Sequence, residues 1–210
     1  MTFPYLENII LFMKLSNKFT LTRIVLAPVF LLLYFLPVYM NSAIFKTISG
    51  WILIPLLAFM EFTDFLDGFF ARKKNEVSDF GKIFDPFADV FLHITTLCAF
   101  TFDGYFNVIC LILILYREFT MNFLRMVASK KGIAIAARKG GKLKTCLYIL
   151  TGFVILLKDC AIRTGCPISA NFSTVHSIIV QVLSWICVLA AYISFIDYLK
   201  NFGSLLKSEI

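Results

Sequence analysis

Four aspartates between residues 64 and 89 are the side chains of this sequence best suited to chemistry. They lie between two apolar segments, and because acidic side chains near lipid are costly, each needs a partner and indicates a function. Asp64 and Asp67 are three residues apart and Asp85 and Asp89 four apart, so each pair lies on one face of its own helix. Two such faces brought together form an all-oxygen site suited to Mg²⁺ or Mn²⁺. Four carboxylates are consistent with two ions.

The elements that position these aspartates are helices of a membrane protein. The chain has 210 residues, of which 60% are hydrophobic and 24 are Phe, far more than an ordinary globular domain contains. A bilayer core of about 30 Å takes about 20 helical residues. The sequence predicts an all-α, polytopic membrane protein with a single domain over residues 1–210. Six transmembrane helices are expected, at roughly 24–40, 43–64, 83–102, 105–124, 143–158 and 174–199.

Two features of these segments are unusual. The fifth is short for a membrane span, whereas the second and third continue beyond the hydrocarbon as the helices that carry the aspartates. Residues 1–18 precede all of them and are too short and interrupted to span the bilayer, and they lack a small-residue cleavage site. They are predicted to form an interfacial amphipathic helix.

The distribution of Lys and Arg predicts the orientation, because these residues concentrate on the cytoplasmic side. Of 20 Lys and Arg residues, only Lys46, Lys158 and Arg163 fall in the connections between spans 1–2, 3–4 and 5–6. We therefore expect a multi-pass protein of the cell membrane, with both termini and the aspartates on the cytoplasmic side. The net charge of +7 then reflects anionic lipid headgroups and phosphate substrates, and no nucleic-acid partner is needed.

Cysteine and histidine give weaker signals. Cys160 and Cys166 share the predicted 5–6 connection and could pair if that compartment is oxidising. No Cys/His spacing typical of a metal site is present, and His93 and His176 are isolated.

The aspartates also belong to a longer pattern of fixed residues. It reads Asp64-x2-Asp67-Gly68-x2-Ala71-Arg72-x8-Gly81-x3-Asp85-x3-Asp89. This pattern resembles, at every defined position, the signature of the CDP-alcohol phosphatidyltransferases. The resemblance implies attack of an alcohol on the diphosphate of a CDP-linked lipid, with CMP as the leaving group, by an enzyme that forms a homodimer. It assigns Asp64, Asp67 and Asp85 as metal ligands, with Asp89 completing the site and acting as general base on the acceptor hydroxyl.

Residues beside the aspartates are expected to hold the nucleotide. Gly68 and Ala71 present small surfaces next to Asp67, which allows a nucleotide to approach the helix closely. Arg72 could pair with a carboxylate or a phosphate. By the resemblance, Gly81 completes this lining.

A second short pattern lies at the start of the first span. Asn17-x2-Thr20-x2-Arg23 resembles the corresponding segment of bacterial members of the family. Thr20 and Arg23 are three residues apart on one helical face, at the cytoplasmic mouth where a diphosphate would lie. The alternative is a helix start with a snorkelling arginine.

Basic residues that follow the fourth apolar run are expected to recognise the acceptor. Arg117 and Glu118 end that run, a position that favours inward-facing functional groups. Arg117-Glu118 and Gly141-Lys142-x-Lys144-Thr145 resemble the branch of the family that uses sn-glycerol 3-phosphate as acceptor and CDP-diacylglycerol as donor. The basic side chains assigned to the acceptor phosphate are Arg117, Lys139, Lys142 and Lys144.

Two alternatives remain open. Val90 occupies the position where that branch usually has lysine, so the acceptor could instead be inositol phosphate, serine, choline or phosphatidylglycerol. A transporter with acids that bind a coupling ion is the alternative from another class. It predicts acids near the middle of the bilayer and a repeat between the two halves, whereas we find no convincing repeat and the aspartates lie at the ends of their spans.

Overall fold

The computed structural model of the chain describes residues 15–73, 79–130 and 139–202. Within these ranges it leaves out the side chains at 15, 16, 65, 67–73, 79, 80, 82, 130, 139 and 202. The described residues form six helices and no strand, which confirms the predicted all-α fold. The helices are α1 (Leu15–Met40), α2 (Ala43–Lys73), α3 (Asp79–Phe102), α4 (Val108–Lys130), α5 (Lys139–Arg163) and α6 (Ala170–Phe202).

Five of these helices are long and apolar enough to cross a membrane. Their apolar segments are Asn17–Met40, Ala43–Asp64, Ile83–Phe102, Gly140–Arg163 and Ala170–Asn201. α4 has a similar length, 23 residues, but it carries Arg117, Glu118 and Arg125. These helices confirm the predicted polytopic architecture.

The helix boundaries differ from the predictions at two places. The fifth helix is not short, because α5 has 25 residues and continues through Lys158 and Asp159 to Arg163. These charged residues are buried in the bundle instead of lying in a loop. At the other end of the chain, residues 15–18 form the first turn of α1, and the rest of the predicted interfacial helix lies outside the described residues.

α1 is the helix against which the two aspartate-bearing helices pack. It makes close contacts with both α2 and α3, whereas the backbones of α2 and α3, where described, approach each other at few points. Ala27, Phe30 and Tyr34 of α1 are fully buried. The Phe100 ring of α3 packs edge-on against Phe30 and Tyr34, with ring centroids 6.4 and 5.8 Å apart. α1 therefore sets the separation of the helices that carry the aspartates.

A buried arginine joins α1, α2 and α5 at the far end of the bundle. Arg163 donates from Nε to Asp159 Oδ2 at 2.6 Å and from Nη1 to the Tyr34 carbonyl at 2.9 Å and to Ser49 Oγ at 3.1 Å. Its guanidinium also lies 4.5 Å from the centre of the Tyr34 ring. A side chain at Gly50 would come within 2.9 Å of Arg163 Cβ, so glycine permits the close approach of α2 to α5. We call Arg163, Asp159, Tyr34 and Ser49 the Arg163 anchor.

The cysteines do not add a covalent link. All six are free thiols, with Cys160 buried in α5 and Cys166 exposed in the connection that follows. The suggested pairing of these two residues is therefore absent from the structure.

Candidate active site

Three of the four predicted aspartates converge on one arginine. Arg23 of α1 contacts Asp64 of α2 and Asp89 of α3 through Nη1, and Asp85 of α3 through Nη2. The Arg23 side chain is fully buried, whereas the side chains of Asp64, Asp85 and Asp89 are 37%, 40% and 28% exposed. We call these three residues the aspartate cage. Their carboxylates contact a buried cation and remain accessible to solvent.

Helix geometry explains why these side chains meet. Asp85 and Asp89 occupy successive turns of α3, on the same face. Asp64 is the last residue of the apolar segment of α2, and α2 and α3 both pack against α1, the helix that carries Arg23. The predicted juxtaposition of the two acidic faces is therefore present in the structure for these three residues.

The cage has dimensions suited to a small divalent cation. One oxygen from each of Asp64, Asp85 and Asp89 lies within 4.8 Å of the other two. Oxygens bound to Mg²⁺ at about 2.1 Å are about 3 Å apart when adjacent and about 4.2 Å apart when opposite. Side-chain rotations that move these oxygens by roughly 1 Å would bring all three into such a shell. The Asp67 side chain lies outside the described residues, so its role as a ligand stays a prediction.

Two of the predicted nucleotide-binding residues lie one helical turn from residues of the site. Thr20 is buried one turn before Arg23 in α1, and Gly81 lies one turn before Asp85 in α3. Arg23 does not extend to the surface as a snorkelling arginine would. For Gly68, Ala71 and Arg72 only the backbone in α2 is described, and their predicted role is untested.

The predicted acceptor residues divide into buried and exposed members. Arg117 Nη1 donates to Glu118 Oε2 at 2.8 Å, and Lys144 Nζ donates to Glu118 Oε1 at 2.6 Å. The Tyr148 hydroxyl donates to the same Oε1 at 3.2 Å. All four side chains are buried. We call these four residues the Glu118 cluster, and its burial confirms that Arg117 and Glu118 face inward.

The remaining contacts of Arg117 are structural. Its Nε donates to the Ala191 carbonyl at 3.2 Å and its Nη2 to Ser194 Oγ at 3.3 Å, which ties α4 to α6. Lys142, in contrast, is exposed on α5, because it lies two positions before Lys144 and therefore on another face of the helix. The side chain of Lys139 lies outside the described residues. Among the predicted acceptor residues whose side chains are described, Arg117 and Lys144 are brought together and Lys142 is not.

One polar pair was not anticipated from the sequence. His93 Nε2 of α3 lies 3.3 Å from Glu61 Oε1 of α2, with side-chain exposures of 7% and 13%. The His93 ring also packs edge-on against Tyr148 of the Glu118 cluster, at 5.8 Å between centroids. The sequence contained a signal, since Glu61 is three residues before Asp64 and His93 four residues after Asp89, on the same helix faces.

Comparisons with known proteins agree with this architecture. Residues 13–196 match the family model described as CDP-alcohol phosphatidyltransferase. A protein from Treponema pallidum (strain Nichols) is 36% identical over 93% of this chain and 92% of its own, and one from Bacillus subtilis (strain 168) is 30% identical over 93% and 98%. A protein from Mycoplasma pneumoniae is 29% identical over 94% and 91%. All three are named CDP-diacylglycerol–glycerol-3-phosphate 3-phosphatidyltransferase. The family predicted from the aspartate pattern is thereby confirmed, and the chain belongs to the CDP-alcohol phosphatidyltransferases.

Proposed function

We propose that this chain transfers the phosphatidyl group of CDP-diacylglycerol to sn-glycerol 3-phosphate, with phosphatidylglycerophosphate and CMP as products. The observation that carries the proposal is the aspartate cage, in which three residues of the family signature converge from two helices. The names of relatives that align over more than nine-tenths of the chain support the choice of donor and acceptor.

The aspartate cage is the proposed site of Mg²⁺ or Mn²⁺. Asp64, Asp85 and Asp89 would each offer a carboxylate oxygen, and Asp67, one turn after Asp64, would be a further ligand and would allow a second ion. A bound divalent ion neutralises diphosphate charge and stabilises the departing CMP. Carboxylate oxygens are the ligands these hard cations prefer, so the donor set fits.

Arg23 supports the donor side of the reaction. Its guanidinium contacts Asp64, Asp85 and Asp89, the residues that would hold an ion, and its N–H groups would bind the diphosphate beside them. Arginine suits this role because its planar array of donors matches phosphate oxygens. Thr20, Gly68, Ala71, Arg72 and Gly81 are the proposed remaining contacts of the nucleotide.

Asp89 is the proposed general base. Its carboxylate accepts the proton of the acceptor hydroxyl as that oxygen attacks phosphorus. A new P–O bond to the acceptor forms, and the P–O bond to CMP breaks. Asp89 has the least exposed side chain of the three cage residues, at 28%. A partly buried position suits a general base.

The Glu118 cluster favours an anionic acceptor. Two cations, Arg117 and Lys144, surround the one carboxylate of Glu118, which leaves one positive charge in a buried setting. A phosphate group would balance that charge through charge-assisted hydrogen bonds. A neutral or zwitterionic acceptor would not, so sn-glycerol 3-phosphate fits better than serine or choline.

The orientation of the protein in the membrane and its assembly are also proposals. The cage and both chain ends would face the cytoplasm, where the nucleotide and glycerol phosphate are found, while the lipid tails stay in the bilayer of the cell membrane. A membrane-impermeant thiol reagent added outside intact cells is expected to label the exposed Cys166. Labelling of Cys166 from the cytoplasmic side alone would reverse this orientation. A homodimer is the proposed assembly.

The direct test is an acceptor panel. Purified protein is incubated with CDP-diacylglycerol, Mg²⁺ and, in separate reactions, glycerol 3-phosphate, inositol phosphate, serine, choline or phosphatidylglycerol, and CMP release is measured. We expect release with glycerol 3-phosphate and a phosphatidylglycerophosphate product. Release with another alcohol alone would assign the chain to a different branch of the same family, a result that Val90 would then help to explain.

A further inference from the structure

The Glu61–His93 pair is buried next to the aspartate cage without belonging to it. Glu61 Oε1 and His93 Nε2 lie 3.3 Å apart, within ion-pair distance, and neither atom forms a hydrogen bond among the described residues, with the other or with a third group. An acid and an imidazole inside an apolar bundle are costly, and a well-packed apolar pair of similar volume is often as stable or more stable. Stability of the fold does not account for the pair.

The location of the pair suggests what it does. Glu61 is about 4.5 Å along α2 from Asp64, and His93 is about 6 Å along α3 from Asp89, on the faces that carry the cage. In the described residues the backbones of α2 and α3 have few close approaches, so their register depends on their packing against α1 and on contacts between side chains. The Glu61–His93 contact joins α2 to α3 about one helical turn from the cage residues.

We infer that Glu61 and His93 are a positioning pair that holds α2 and α3 in the register at which the cage carboxylates can share one divalent cation. The inference rests on the proposed metal site. Asp64 comes from α2 and Asp85 and Asp89 from α3, so a slip between these helices changes the distance from Asp64 to the other two ligands. The pair fixes that distance one turn away without touching the ion.

The other side of His93 supports the same role. Its ring packs edge-on against Tyr148 of α5, whose hydroxyl donates to Glu118 Oε1 at 3.2 Å. The Thr96 hydroxyl donates to the His93 carbonyl at 2.9 Å within α3. His93 is therefore held on the side away from the cage, and Glu61 is the partner through which it fixes α2.

The test measures Mn²⁺ binding to the purified full-length chain in detergent, without substrates, by the electron paramagnetic resonance signal of free Mn²⁺. The double variant Glu61→Leu/His93→Phe keeps the volume of the pair and removes its polar bridge. We expect its thermal unfolding midpoint to equal or exceed that of the wild type, and its Kd for Mn²⁺ to rise by about tenfold or more, as when supports behind metal ligands are lost. Glu61→Gln keeps an acceptor oxygen for His93 and is expected to retain wild-type affinity.

The matched control is Asp159→Asn, which alters a buried carboxylate paired with a cation in the Arg163 anchor, and it is expected to leave the Kd unchanged. If the double variant does not fold, the single variant Glu61→Leu is measured instead, and its Kd for Mn²⁺ is expected to rise in the same way. Wild-type affinity in the folded Leu variants overturns the positioning role while leaving the metal site intact. A wild-type chain that binds no Mn²⁺ overturns the metal site and the positioning role together.

Discussion

Two buried arginines at opposite ends of the bundle have environments of opposite kinds. Arg163 meets a carboxylate at 2.6 Å, a carbonyl and a hydroxyl, and the nearby Lys158 and Asp103 balance each other in charge. Arg23 contacts three carboxylates, those of Asp64, Asp85 and Asp89. The first region pairs one cation with its closest acid, whereas the second gathers three acids of the kind that would hold the divalent cation proposed above.

Accessibility separates the same two regions. The Asp159 and Arg163 side chains are only 7% and 6% exposed, while the cage carboxylates are several times more exposed. A closed ion pair suits a structural role, and an open group of carboxylates suits the binding of a ligand. Changes in the cage should therefore remove activity and spare stability, and changes in the Arg163 anchor should do the reverse.

The largest effect is expected from Asp85→Asn. The variant removes one proposed ligand and should lower kcat by on the order of a thousandfold or more, because metal stabilisation of the transition state is worth several kcal/mol. CMP release with CDP-diacylglycerol and glycerol 3-phosphate measures it. The unfolding midpoint should not fall, since the substitution relieves repulsion among three acids. An Asp85→Asn variant with a lower unfolding midpoint but a normal kcat would contradict this expectation, because the cage would then have the same structural role as the Arg163 anchor.

The next effect concerns the Arg163 anchor. Arg163→Leu leaves Asp159 buried without its closest cation and should cost about 3–5 kcal/mol of unfolding free energy. Denaturant unfolding in mild detergent measures it, with Asp103→Asn as the control, because the 3.9 Å contact of Asp103 is much weaker. Activity per folded molecule should stay near that of the wild type. A folded Arg163→Leu protein with no transferase activity would contradict the division of roles.

The smallest effects lie in the acceptor residues and distinguish buried from exposed lysine. Lys144→Gln should reduce kcat/KM for glycerol 3-phosphate by about 10- to 150-fold, since a charge-assisted contact is worth about 1.5–3 kcal/mol, with little change for CDP-diacylglycerol. Lys142→Ala should reduce it by no more than about fivefold, because exposed charge pairs are worth about 0–1 kcal/mol. Initial rates with each substrate varied in turn measure both. An equal loss of donor affinity in Lys144→Gln would assign the Glu118 cluster to the diphosphate.

The sequence predicts helices and local faces well. Long apolar runs define the helices, and the three- and four-residue spacings of the aspartates place them on common faces, so their convergence could be anticipated. The family signature strengthened that prediction and was confirmed by the comparisons.

Contacts between distant helices could not be predicted in the same way. The sequence predicted that Lys158 and Arg163 lie in a loop, because a charged residue near the end of an apolar run resembles a topology signal. Only the structure shows the buried partners of Arg163. His93 looked isolated because Glu61 is 32 residues away in the chain, and only the register of α2 against α3 brings them together. The rotation of α5 in the bundle decides that Lys144 is buried beside Glu118 while Lys142 is exposed.

The most direct test of the central claim follows CMP release from CDP-diacylglycerol and glycerol 3-phosphate in the purified wild-type chain before chelation, after chelation, and after Mg²⁺ or Mn²⁺ is returned. If the cage holds a divalent cation that the reaction needs, activity will disappear with the chelator and return with either ion. Undiminished turnover in excess chelator would contradict it.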